Sequence, residues 1–295
     1  KQGFQLHQAP LMRLHLLRLD ENTYQFVWCH HHILLDGWSL PLVFQDLFAF
    51  YQAICDGENV SLPPTVNYRN YIAWLQQQDL NSAKEFWQQK LLGFSTPTPL
   101  RVDKPLSQRQ QHSRYDEQHI YLSALATSQA VDFVKQHQLT LNNLVQVTWG
   151  LLLSRYSGET DVVFGATLSG RPPALLGVES MVGIFINTVP VRWQISPQTD
   201  LLSLLKDLQT QQVESEQFSY CSLVEIQSLS DIPRGTSLFE SIVVFENYPV
   251  DADTLQDDGG LTVADFRGIE HANYPLTVVA GPGEQLWLKV SYDTN

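Results

Sequence analysis

Early in the chain the spacing of apolar residues switches from a β period to a helical one. Residues 11–17 and 23–32 alternate in the β manner around the turn Asp20-Glu21-Asn22, which predicts two joined strands. Leu40, Val43, Phe44, Leu47, Phe48, Tyr51 and Ile54 then recur at helical spacing. Ser39 suits the N-cap of that helix, Pro41 its first turn and Gly57 its C-terminal stop. Further helices are predicted over 68–78, 83–92, 127–137, 143–156 and 201–213. The second of these carries Ser82 and Glu85 at capping-box spacing, and Tyr68, Tyr71 and Trp74 form the core face of the first. Strands are predicted over 161–167, 184–193, 241–246, 261–266, 276–280 and 286–292. In the 184–193 run Asn187 shares a face with Phe185 and Val189.

Residues 94–114 break this pattern. Pro97, Pro99 and Pro105 and a polar Gln/Ser stretch read as a linker crossing between subdomains, dividing the chain into 1–105 and 106–295. Both halves mix strands with helices and no internal repeat is visible, so the pattern alone supports a two-layer α/β protein.

Between the early strands and the first helix lies Cys29-His30-His31-His32-Ile33-Leu34-Leu35-Asp36-Gly37-Trp38-Ser39. On a strand running to residue 32, His30 and His32 share one face and Cys29 and His31 the other. His31 and His32 then point to opposite sides of the sheet and cannot grip one metal, so no metal site is expected. An imidazole at a strand end, followed by a tight turn, suits proton handling on a substrate. Asp36 follows a short apolar run; a carboxylate buried there needs a cationic or hydrogen-bonding partner, and an arginine elsewhere in the chain should meet it. Gly37 permits a positive φ, and its N–H can face a reacting centre. Cys29 reads as a packed strand residue.

Composition narrows the partners. The 295 residues suffice for one or two domains, and 43% hydrophobic with 17% charged residues suits a globular chain. The formal net charge is −13, with 18 basic against 31 acidic residues and no Lys/Arg cluster, which argues against nucleic acid and anionic membrane. No apolar run approaches the roughly 20 residues that span a bilayer. Cys29, Cys55 and Cys221 are widely spaced, suggesting free thiols in a reducing compartment and hence a cytoplasmic location.

The run His-His-x-x-x-Asp-Gly, here His31, His32, Asp36 and Gly37, resembles the active-site motif of the condensation domains of nonribosomal peptide synthetases. These belong to the chloramphenicol-acetyltransferase-like superfamily. Tyr68-Arg69-Asn70-Tyr71-Ile72-Ala73-Trp74 resembles the family's Tyr-x-Asp-Tyr-Ala-x-Trp element, with Asn70 where aspartate is usual. Leu168-Ser169-Gly170-Arg171-Pro172 resembles its Ser-Gly-Arg-Pro segment, and Val182-Gly183-Ile184-Phe185-Ile186-Asn187-Thr188 its Gly-x-Phe-x-Asn-Thr element. Pro233 to Glu240 resembles a late element in weaker form. The set covers nearly the whole chain in the family's order. The family's first two motifs are absent, so the resemblance implies a fragment that begins inside the domain. No Gly-x-Asp-Ser carrier signature is present.

The resemblance implies two acetyltransferase-like α/β sandwiches in a V, the first incomplete, with the active site in a tunnel between them. It implies amide formation: the α-amine of an acceptor aminoacyl group attacks a donor acyl or peptidyl thioester. Both substrates ride on phosphopantetheine arms, with no cofactor bound directly. The implied partners are donor and acceptor peptidyl carrier domains and an adjacent adenylation domain. The catalytic set carried over is His32, Asp36 and Gly37. His32 acts either as general base or by orienting the amine and stabilising the intermediate; a free α-amine has a pKa of about 8, so both roles stay open. His31 and Arg171 are motif and structural residues, Arg171 pairing Asp36, while Asn187 and Gly183 line the tunnel. The continuation Asp36-Gly37-Trp38-Ser39 is more like domains that join two L-residues. Two alternatives remain: a stand-alone acyltransferase using a coenzyme A or carrier thioester, and an inactive condensation-like recruitment domain.

Overall fold

The early β pattern forms an antiparallel pair, β1 (Met12–Asp20) and β2 (Thr23–His30), in register from Met12↔His30 to Asp20↔Thr23. The computed structural model describes residues 3–100, 115–196, 198–233, 235–247, 261–270 and 272–294. The boundary expected between residues 105 and 106, most of the proline-rich linker, and Arg234 of the late motif lie outside the described residues. Among the described residues no helix is long and apolar enough to cross a membrane. By internal contacts the chain forms two compact units. Unit 1 is Lys1–Gln76, Arg171–Ile186 and Tyr248–Phe266; unit 2 is Gln77–Gly170, Asn187–Asn247 and Arg267–Asn295.

In unit 1 the helical pattern after the hairpin becomes α1 (Leu40–Asp56). Gly57 ends it in a left-handed conformation (φ +71°), and its N–H reaches the carbonyls of Ala53 and Ile54. Phe44 of α1 packs edge-on against Trp28 of β2, with ring centroids 5.8 Å apart, and Phe266 packs edge-on against Phe44 at 6.2 Å. A short helix, α2 (Arg69–Leu75), carries Tyr71 and Trp74, whose rings stack with centroids 6.0 Å apart. Tyr71, Val178, Met181 and Phe185 form a small buried core, with Val66, Tyr68 and Trp74 packed against it.

Unit 2 begins with α3 (Leu80–Leu91). Its cap is Asp79, not Ser82: the Asp79 carboxylate accepts the N–H groups of Asn81 and Ser82. An aspartate one turn earlier offers the helix N-terminus both an acceptor and a negative charge. The remaining elements are β3 (Tyr115–Tyr121), α4 (Ala124–Gln136), α5 (Leu141–Ser157), β4 (Asp161–Leu168), β5 (Asn187–Gln194), α6 (Leu201–Glu216), α7 (Leu223–Ser228), β6 (Ser241–Phe245), β7 (Leu276–Gly281) and β8 (Trp287–Asp293). They build one mixed sheet in the order β3-β8-β7-β6-β4-β5, with β6 parallel to both β4 and β7. Along β4 the alternation serves two cores. Val162, Phe164 and Ala166 pack with residues of α4, α5 and α6, while Val163 packs with α3 and α7. Both faces of this strand are covered, which is why it reads as nearly continuous apolar sequence.

Two strand expectations are corrected and one strand was missed. β5 starts at Asn187, so Phe185 is not on it and belongs to the unit 1 core. Residues 261–266 form no strand; alternation describes which side chains are covered and does not supply a ladder partner. β3 was not foreseen: it is an edge strand whose sequence, Tyr-Asp-Glu-Gln-His-Ile-Tyr, is largely polar and exposed.

Candidate active site

The histidine run does not continue the strand. Met12 pairs with His30, and one further bond, from the His31 N–H to the Leu11 carbonyl (2.9 Å), ends the ladder. The next partner would be Pro10, which has no N–H to give. The chain turns instead, and His32–Leu34 form one 3₁₀ turn. His31 caps it, its Nδ1 accepting the Ile33 N–H at 3.1 Å. The expectation that His31 and His32 occupy opposite faces of a strand is therefore corrected. His31 is half-buried and committed to the turn, while the His32 side chain is exposed. Among the described residues no group of three or more His, Cys, Asp or Glu is placed to hold a metal.

Asp36 lies deeper, with 1% of its surface exposed. Its N–H donates to the Gly183 carbonyl at 3.0 Å. Its Oδ1 accepts from the Ser39 N–H (3.0 Å), the Ser39 hydroxyl (2.9 Å) and Arg171 Nη2 (3.1 Å), and its Oδ2 accepts from the Phe185 N–H (3.0 Å). A carboxylate cut off from water is stable only when its acceptor sites are filled in this way. Arg171 is occupied at both terminal nitrogens, while its buried Nε has no hydrogen-bond partner among the described residues. Nη1 donates to the carbonyls of Val178 and Met181, Nη2 also reaches Ser39 Oγ at 3.1 Å, and the guanidinium lies 4.0 Å from the Phe185 ring centroid. Gly37 starts a second 3₁₀ turn, Gly37–Ser39, and does not use the left-handed φ its residue type permits, because that turn is right-handed.

The segment facing Asp36 is tied along its backbone. Gly183 exchanges bonds with Ser39: its N–H donates to Ser39 Oγ (3.1 Å), and its carbonyl accepts from the same hydroxyl (2.9 Å). Tyr68 donates its hydroxyl to the Ile184 carbonyl at 2.5 Å. The Tyr68 ring lies on Gly183 so closely that a Cβ there would come within 2.2 Å of Cδ2, so only glycine fits. Burial, together with the Asp36 charge, raises the Tyr68 pKa; the nearby Arg171 charge offsets part of the rise. Tyr71 is pushed up to about 12, chiefly by burial and then by the charges of Tyr68 and Asp36, again partly offset by Arg171.

Unit 1 thus brings His31, His32, Asp36, Gly37, Arg171 and Gly183 together, while Asn187 belongs to unit 2. The Asn187 side-chain amide donates to the carbonyls of Ser219 (2.7 Å) and Cys221 (2.8 Å), and its Oδ1 accepts the Thr188 N–H. Ser39 and Tyr68 are site residues that spacing did not single out. The three-residue separation of Asp36 and Ser39, typical of side chain–backbone turns, was the one local signal for Ser39.

The Condensation domain family model matches residues 1–295. A linear gramicidin synthase of Brevibacillus parabrevis is 47% identical over 294 residues, which cover 100% of this chain and 6% of that protein. Surfactin synthase subunit 3 of Bacillus subtilis (strain 168) is 37% identical over 297 residues, covering 99% of this chain and 23% of that protein. The chain thus spans a small part of these relatives. Among solved structures, the X-domain from teicoplanin biosynthesis superposes with a TM-score of 0.84 at 23% identity, covering 99% of this chain and 69% of that one. A holo four-domain nonribosomal peptide synthetase bound to AMP and glycine superposes at 0.81 with 21% identity, covering 99% of this chain and 23% of that one. These structural likenesses establish the fold; the whole-length match of the family model establishes that the chain belongs to the condensation-domain family of the nonribosomal peptide synthetases.

Proposed function

We propose that this domain joins a carrier-bound donor acyl or peptidyl thioester to the amine of a carrier-bound acceptor aminoacyl group, and that His32 meets the attacking amine. The observation that carries this reading is an exposed imidazole on a turn whose far end is fixed by a buried, fully bonded carboxylate. The amine nitrogen attacks the thioester carbonyl, the C–S bond breaks, the carrier thiol leaves, and the nitrogen loses a proton. His32 takes that proton or holds the amine on line and stabilises the charged intermediate. Asp36 serves by fixing the turn, with Arg171 as its counter-ion, Gly37 serves through backbone geometry, and His31 caps the turn with its Nδ1. No cofactor is required beyond the phosphopantetheine arms that present the substrates. The partners are donor and acceptor carrier domains and a neighbouring adenylation domain. Three free cysteines fit a reducing, cytoplasmic setting.

The test is peptide formation by mass spectrometry with donor- and acceptor-loaded carriers. The wild-type protein should release amide product, and His32→Ala should lower the rate by about 10²–10⁴-fold with both loaded carriers intact. Amide formation at the wild-type rate by His32→Ala would remove His32 from the chemistry. Transfer from a coenzyme A thioester to a free alcohol or amine, with the loaded carriers untouched, would favour a stand-alone acyltransferase.

A further inference from the structure

We propose that Ser39 is a positioning residue for His32, an inference that rests on the catalytic role of His32 proposed above. Ser39 stands where a helix N-cap belongs, and its residue type is the preferred one, yet its side chain makes no cap bond to α1. The hydroxyl is turned inward instead. It accepts the Gly183 N–H and Arg171 Nη2, and its single proton lies between Asp36 Oδ1 and the Gly183 carbonyl, all within 3.1 Å. The side chain has no exposed surface. A local preference left unused while the same group completes a buried network is a sign that the network matters more than the helix end.

The network bears on His32 through the backbone. The turn that carries the imidazole is held at one end by the Leu11 carbonyl on the His31 N–H and at the other by the Gly183 carbonyl on the Asp36 N–H. The first anchor belongs to the hairpin. The second is only as fixed as the Gly183 peptide, which Ser39 grips on both its N–H and its C=O. Ser39 therefore joins the 171–186 segment to the histidine turn. Without its hydroxyl, the Gly183 N–H and one Arg171 bond lose their partner inside a dry site, and the second anchor can move. A displacement of the order of 1 Å at a reacting group is enough to cost a large part of its rate contribution.

The experiment compares Ser39→Ala, Ser39→Thr and wild type by steady-state amide formation and by ¹⁵N-histidine spectra. The His32 ring signals are identified by their loss in His32→Ala. Ser39→Ala should lower kcat by about 10- to 100-fold, leave KM for the loaded carriers within about twofold and shift the His32 ring signals. Ser39→Thr, which restores a hydroxyl, should recover most of the rate and return the signals. If Ser39→Ala does not fold, Ser39→Cys, with a weak S–H donor of similar size, carries the same comparison and should fall between wild type and inactive. An unchanged kcat in a folded variant overturns the proposal, as does a fall in kcat with the His32 signals unmoved. If wild-type protein forms no amide, the catalytic reading is what fails; the His32 signals still report whether Ser39 sets the imidazole.

Discussion

Each unit contains an arginine–aspartate pair, and the two are built on opposite terms. In unit 2, Arg192 meets Asp161 with a fork, Nε to Oδ1 at 3.0 Å and Nη2 to Oδ2 at 2.7 Å. In unit 1, Arg171 offers Asp36 only Nη2, at 3.1 Å. By geometry the first is the better ion pair. The surroundings reverse the ranking. The Asp161 side chain is 34% exposed and that of Arg192 13%, whereas those of Asp36 and Arg171 are 0% and 8% exposed. Water remains an alternative partner for Asp161, so its pair is one tie among several; Arg192 also donates to the Leu92 carbonyl beyond the end of α3. Asp36 has no such alternative, and every bond it makes is to a group that the turn or the 171–186 segment supplies. Bond quality therefore says little about consequence, and burial says most.

The largest expected effect follows from removing one side of the buried pair. Arg171→Ala should destabilise the protein by about 3–5 kcal/mol, because it strands a buried carboxylate and the Val178 and Met181 carbonyls together. Urea unfolding followed by far-UV circular dichroism gives the number. A loss below about 1 kcal/mol would place Asp36 in the same class as a surface carboxylate and collapse the contrast.

An intermediate effect is expected at high pH, where the buried charge reaches its neighbours. Tyr71 is held near 12 by burial and by the charges around it, against an ordinary value of 10.0. A folded-state pKa above the unfolded one means that the folded protein keeps its proton where the unfolded chain has lost it. The associated stability is fully present below about pH 10 and drains away as pH rises towards 12. Tyr71→Phe should remove that part of the decline. Measured from pH 9 to 11.5, the stability of wild type minus that of the variant should fall steadily as pH rises. Parallel curves would mean that Tyr71 titrates as it does in the unfolded chain.

The same contrast explains what the sequence made legible. The hairpin and α1 follow from apolar periodicity, and most strands of unit 2 from apolar alternation or, as in β4, from a nearly continuous apolar run between two covered faces. The need of Asp36 for an arginine followed from placing a carboxylate after an apolar run, and the resemblance of residues 168–172 to a known segment pointed to Arg171 across 135 positions. What failed was local inference about groups whose partners are distant. Ser39 looked like a helix cap because its bonds to Gly183 and Arg171, 144 and 132 positions away, leave no trace in neighbouring residues. Tyr68 read as a core residue, but its hydroxyl bond to Ile184 spans 116 positions. His32 was assigned to a strand because alternation cannot show that pairing stops at Pro10. β3 escaped because a polar edge strand carries almost no period, and residues 261–266 carried the period without a ladder.

The smallest effect belongs to the exposed pair, and it is the one that decides whether burial is the right variable. Asp161→Asn keeps the shape of the side chain and an oxygen that can still accept from Arg192, while removing the charge. It should cost about 0–1 kcal/mol, shrinking further as salt is raised from roughly 0.05 to 1 M. The arginine is not stranded by the change, because water reaches the site and the Leu92 carbonyl still holds Nη1 at 2.7 Å. Asp36→Asn is also nearly isosteric, yet it brings an amide N–H₂ to a position ringed by donors. It should cost several times more and show little dependence on salt, since ions cannot screen a pair they cannot approach. Equal costs for the two asparagine variants, or equal salt dependence, would mean that bond geometry and not burial sets the worth of a charge in this protein.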